Sequence, residues 1–269
     1  MSRMRGMIVL PLLAPLWAAP ASAAQEAPPM ITDRPDQTES AVVVPRGLFQ
    51  LEAGGLHAFD RAGTDPAVRF STVGGALLRI GVLDPVELRL GFAGWQHAST
   101  EGGGSVAGPG DLELGAKVRL ARGAGFSPAV AVMGGILLPV GHADFRAGGV
   151  DPSVRVSLAH ELGGGVGLGY NAGAFWTTVE GAGGAESLEA SLLYSIVLGR
   201  ELVPRLAAFL EAFGVHGLGE GGGSWVALDG GVTVPIRVNV QLDLSGGVGL
   251  SPGAEDWFLS AGFALRVPR

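Results

Sequence analysis

The residues in this sequence most able to do chemistry are charged side chains set one position in two among apolar neighbours. Glu52, Arg79, Glu87, Arg89, Glu113, Lys117, Arg119, Glu161, Glu189, Arg205, Glu211, Asp243 and Arg266 all fall in such a pattern. Charges of both signs on one polar face have two uses. They can pair into a network that fills and stiffens an interior, or they can line a path that selects solutes by charge and size. A second group precedes them: Asp33, Arg34, Asp36 and Glu39 alternate in sign around Pro35. If that segment folds back, its carboxylates can pair with Arg79, Arg89 or Arg119, and it becomes a plug or gate. The other readings are a clasp at the rim and a disordered leader.

Other chemistries find little support. With Cys count zero, disulfides, thiol catalysis and zinc–thiolate sites are excluded. His57, His97, His142, His160 and His216 include no pair at close ligand spacing such as HxxxH, so no metal site is expected. Residues 217–222 spell G-x-G-x-x-G, yet another strand follows instead of a helix that could hold a pyrophosphate. No catalytic or cofactor-binding residue is assigned. The net charge of −7 gives no basic stripe, so nucleic acid is not an expected partner.

The elements that must carry the charged face follow from composition. Hydrophobic residues make up 47% of the chain, charged residues 16%, and mean hydropathy is +0.37. After residue 20 there is no apolar run of about 18 residues, the length a membrane helix needs. The 46 glycines also speak against helices. Only helices and closed barrels satisfy every backbone group inside lipid, which leaves the barrel.

The chain divides into three parts. Residues 1–23 read as a signal peptide: Arg3 and Arg5, an apolar stretch from Met7 to Ala19, then Ala21-Ser22-Ala23. Cleavage is expected after Ala23, with Ala24 as second choice and an uncleaved anchor as the alternative. Residues 24–46 are a polar, Pro-rich pre-barrel segment, and 47–269 form the barrel. Twelve alternating stretches are expected near 47–59, 67–80, 85–97, 110–121, 127–140, 152–162, 165–178, 186–199, 204–216, 224–235, 238–250 and 256–267. Connections after even stretches look short and those after odd ones longer, as in outer-membrane barrels with both termini periplasmic. The fold class is therefore all-β: an antiparallel transmembrane β-barrel of about 12 strands. A soluble β-sandwich or lipocalin-like barrel is the alternative, since periodicity cannot tell inside from outside. Trp95, Trp176, Trp225, Trp257 and Tyr194 are expected in interfacial girdles.

Thr32-Asp33-Arg34-Pro35-Asp36-Gln37-Thr38-Glu39-Ser40 is followed by Val44-Pro45-Arg46-Gly47-Leu48-Phe49-Gln50-Leu51-Glu52-Ala53-Gly54. Together they resemble the outer-membrane transporter-like family named "putative MetA-pathway of phenol degradation". Residues 110–117, 241–245 and 256–263 are similar to that family as well. The resemblance implies an outer-membrane barrel, some of whose relatives are linked to breakdown or uptake of aromatic compounds. One departure is the ending Leu265-Arg266-Val267-Pro268-Arg269, where many such barrels carry an aromatic; Phe263 is the last one here. The expectation is a non-enzymatic channel in the outer membrane of a Gram-negative-type cell, passing small molecules passively. Its partners would be outer-membrane lipid, a small-molecule solute of aromatic or hydrophobic character, and the barrel-insertion machinery during biogenesis. The alternatives are a structural or adhesive surface barrel with a closed lumen, and a barrel-borne hydrolase.

Overall fold

An extended chain with period-two alternation must keep one face dry and the other wet. Fourteen segments do so here: β1 (Phe49–Asp60), β2 (Val68–Leu83), β3 (Val86–Phe92), β4 (Trp95–Thr100), β5 (Ser105–Pro109), β6 (Leu112–Ala124), β7 (Ser127–Leu138), β8 (Asp151–Gly163), β9 (Val166–Glu180), β10 (Glu186–Val203), β11 (Leu206–Gly217), β12 (Ser224–Arg237), β13 (Val240–Gly249) and β14 (Trp257–Val267). This computed structural model describes residues 28–268 apart from 62, 64, 65, 182, 183, 185, 220 and 221. The expected signal peptide lies outside the described residues.

The fourteen segments make twelve wall strands. β3 and β4 pair the same partner, β2, at residues 76–83 and 68–73 respectively. Between them the wall kinks at Gly74 and Gly94, whose φ of 69° and 87° only glycine adopts easily. β5 pairs with β4 as β6 pairs with β3, so β3 with β4, and β5 with β6, each make one interrupted wall strand. All pairings are antiparallel, and β1 pairs with both β14 and β2, which closes the sheet. Closure leaves no free sheet edge to face lipid.

The two ends differ. At one end five hairpins turn in two residues each: 84–85, 125–126, 164–165, 204–205 and 238–239. At the other the connections are longer, up to residues 139–150 between β7 and β8. The β10–β11 turn lies a few residues beyond the expected 200–202. Arg200, Glu201 and Leu202 continue the strand. Pro204, with its fixed φ, and Arg205, at φ 70°, make the turn instead. Arg205 is thus a turn residue and not part of the strand face where the sequence pattern put it.

Side-chain direction decides between membrane and soluble barrel. Leu88, Leu114, Leu198, Leu210, Leu244 and Leu259 are exposed on the outer face. Their sequence neighbours Glu87, Glu211 and Asp243 are buried inside. A polar interior within an apolar exterior inverts a soluble protein and matches an outer-membrane barrel. Trp95 and Trp257 stand on the outer face near the long-loop end, as a girdle requires. Trp225 does not. It shares strand parity with Asp229, points into the lumen and meets Phe213 edge-on at 5.7 Å.

Candidate functional site

The polar face of the barrel converges on residues 28–46, which lie inside it. A carboxylate that accepts backbone N–H groups fixes a chain without help from side-chain entropy. Glu52 does this first: its Oε2 accepts from the backbone N–H groups of Asp33 and Arg34, each at 2.9 Å. Glu87 accepts from Val44 N at 2.7 Å, and Glu211 from Gln37 N at 2.7 Å. The Thr38 hydroxyl also donates to Glu211 and lies 2.7 Å from Ser195 Oγ. On β9, Asn171 accepts from Glu39 N and donates to Glu39 O.

Cations complete the arrangement. Arg79, fully buried, places Nε and Nη2 on the two oxygens of Glu87 and Nη1 2.9 Å from Glu52. It also lies 3.2 Å from Asp33 and donates to the carbonyls of Ile31 and Val42. Arg89 bridges Asp33 and Glu39, and Lys117 meets Asp33 at 2.8 Å and the Ser40 carbonyl. Burial alone would raise the Asp33 carboxyl, but Arg79, Lys117 and Arg89 outweigh it and hold that group well below the usual carboxylate range. Across the lumen, Arg34 pairs with Asp243 at 2.9 Å and donates to Ser260. Its guanidinium lies against Gly54 and Gly262, where any Cβ would collide with it. Close approach of a side chain to the wall is what these two glycines permit.

The sequence-predicted residues fall into groups. Glu52, Arg79, Glu87, Arg89, Lys117, Glu211, Asp243 and Arg266 all touch the segment, Arg266 through the carbonyls of Pro28 and Pro29. Asp33, Arg34 and Glu39 supply the segment's side of the ion pairs. Asp36 is half-buried beside them and forms no ion pair among the described residues. Arg119 takes no part; at the short-turn end it donates to the Asp84 carbonyl. Glu113 faces a separate cavity nearer the long loops.

Several participants escape a reading of the sequence. Gln50, Asn171, Ser195, Gln241 and Ser260 are neutral, and a search for charges passes over them. Their signal is parity, since each sits an even number of residues from a luminal charge on its strand or its paired neighbour. Asp229 follows the same rule as the cross-strand partner of Glu211.

The cavity beyond the segment measures about 590 Å³. Phe175, Leu193, Phe213 and Trp225 form one stretch of its wall, Glu113, Ser153 and Arg155 the adjoining one, and Gln37 of the segment contributes to its lining. The long β7–β8 loop leans over it. Asp111 accepts from Gly141 N and Ala147 N, and Phe145 meets the luminal Phe70 edge-on.

The model of the family described as "Putative MetA-pathway of phenol degradation" matches residues 32–267. No curated protein matches the chain. Among solved structures it is similar to an outer membrane channel from Pseudomonas putida F1, at 13% identity and TM-score 0.65, covering 83% of this chain and 97% of that one. It is similar to the NanC porin at 8% identity and TM-score 0.54, covering 80% and 98%. The translocator domain of the autotransporter NalP from Neisseria meningitidis gives 13% identity and TM-score 0.53, covering 82% and 89%. At these identities the shared property is the outer-membrane barrel fold.

Proposed function

Since this chain belongs to the family described as putative MetA-pathway of phenol degradation, we propose that it is an outer-membrane channel passing small, mainly aromatic molecules passively, with residues 28–46 as an internal plug. The observation that carries this reading is the cavity near the long loops. One wall is aromatic and aliphatic, the other offers Glu113 as acceptor and Arg155 as donor. An arene bearing a hydroxyl fits both walls: its ring stacks on Phe213 or Trp225 while its O–H bonds the polar side. That the Pseudomonas putida relative is an outer membrane channel agrees with passage over display.

The protein is read as exported through a cleaved signal, folded by the barrel-insertion machinery and non-enzymatic. Two Ser–His contacts, Ser71–His57 at 2.7 Å and Ser224–His216 at 2.9 Å, are exposed, and neither ring forms an ion pair with a carboxylate among the described residues. Residues 249–253, Gly249-Leu250-Ser251-Pro252-Gly253, spell G-x-S-x-G, a motif passed over in reading the sequence. Ser251 Oγ is engaged with Val226 N in the β13–β14 loop, with no helix after it to form a nucleophile elbow.

The test is swelling of proteoliposomes in resorcinol against arabinose, sugar and arene being of similar size. Faster swelling in resorcinol is expected, and Trp225→Ala with Phe213→Ala should reduce that preference severalfold. Equal rates for both solutes before and after substitution would leave an unselective pore. No swelling with either solute would favour the closed surface barrel.

A further inference from the structure

The plug is not gripped evenly. Ten of the twelve wall strands give residues 28–46 a hydrogen bond or ion pair; β7 and β12 give none among the described residues. β12 faces the segment with Asp229, an acid. β7 faces it with Met133, Ala131 and Ala129, all apolar. This makes a seam with no hydrogen bond or ion pair across it among the described residues.

Open space lies at both ends of the seam. Above it a small cavity of about 90 Å³ touches Met133, Gly115 and Gly134 and shares Glu113, Ser153 and Arg155 with the large aromatic-walled cavity. Below it a cavity of about 420 Å³ is bounded by Ala129 of β7 and by Ala41, Val43 and Val44 of the segment. Met133 and Ala129 are four residues apart on one face, about 13 Å along a strand. Ala131 and Ser157, fully buried, close the layer between them.

Met133 is an unbranched, flexible side chain set between Lys117 and Arg155 on the neighbouring strands. Methionine changes shape at low cost, because its three rotatable bonds and thioether have soft torsions. Apolar walls on both sides of the seam, from Ala131 to Val43 and Val44, also suit an apolar solute.

We propose that solutes cross this barrel past Met133, along the seam between β7 and the N-terminal segment, while that segment stays in place. This rests on the channel reading above. Met133 is then the residue that sets the width of the passage. The plug is part of the channel wall, and the polar grip of the other ten strands holds that wall still.

The chain has no cysteine, so a cross-link can be added cleanly. Thr38→Cys with Ser195→Cys joins side chains whose oxygens are 2.7 Å apart. Single-channel conductance in KCl is recorded for this variant oxidised and then reduced. The expected result is the same conductance in both states. Met133→Ala should raise it severalfold and Met133→Trp should nearly abolish it. Conductance lost on oxidation and restored by reductant in the double-cysteine variant would overturn the proposal, because the segment would then have to move. Met133 variants that conduct like the unsubstituted protein would overturn it too. A complete lack of conductance in every variant would instead strike the channel reading itself, and the proposal with it.

Discussion

Removal of residues 25–45 should convert the protein into an open, water-filled pore whose conductance exceeds that of the full chain by on the order of tenfold, given the bore of a barrel of this strand number. The barrel does not need the segment to close: the β1–β14 ladder begins at Phe49 and the β1–β2 ladder at the same residue. The truncated chain should therefore still show the heat-modifiable gel mobility of a folded barrel. Its selectivity should change as well. Without Asp33 and Glu39, the ion-pair cluster keeps Arg79, Arg89 and Lys117 against Glu52 and Glu87, three cations against two carboxylates. Reversal potentials in a KCl gradient should move toward the anion. A folded barrel with unchanged conductance would mean that the segment does not obstruct the lumen.

How much of this was legible in the sequence depends on what kind of information each feature carries. Wall strands such as β13 announce themselves, because Val240, Leu242 and Leu244 alternate with Gln241, Asp243 and Ser245 in one strict period. Direction does not: the same string fits a barrel turned inside out, and only the closed geometry places Leu244 outside and Asp243 inside. Ion-pair partners were half legible. Asp33 and Glu39 do meet Arg79 and Arg89, but Lys117 takes the place expected of Arg119. Shear between neighbouring strands decides which luminal residue lies at which depth, and a single strand's pattern holds no record of it. Trp225 illustrates a different failure. Its position near a strand end suggested a girdle, whereas its parity with Asp229 already put it inside; the parity was the stronger signal. The Arg34 groove needed two glycines from β1 and β14, 208 positions apart in sequence, and no local reading joins Gly54 to Gly262.

Arg79→Met should be the most damaging single substitution in the lumen. All five donors of this guanidinium are spent: two on Glu87, one on the Val42 carbonyl, and the two of Nη1 among Glu52, Asp33 and the Ile31 carbonyl. Methionine keeps the bulk and removes the charge, leaving Asp33, Glu39, Glu52 and Glu87 with Arg89 and Lys117 alone to balance them. Stripping one partner from a buried ion network costs about 3–5 kcal/mol. Most of that loss should fall on docking of the segment, so trypsin should cut after Arg46 and conductance should approach that of the truncated chain. The same substitution made in the truncated chain should cost much less, since Asp33 and both carbonyls are then already gone. The pH response gives the sign. In the unsubstituted protein Asp33 is held below its ordinary value of about 3.9, so its contribution to docking is present above that pH and is lost only as pH falls through the lower folded value. Without Arg79 the cluster has too few cations, and protonation relieves repulsion. Lowering the pH from about 7 to about 4 should then re-seat the segment and reduce conductance, whereas the unsubstituted protein, whose Asp33 stays ionised over that range, should keep its conductance. If the two proteins respond alike over that range, Arg79 is not the counter-charge that holds the plug.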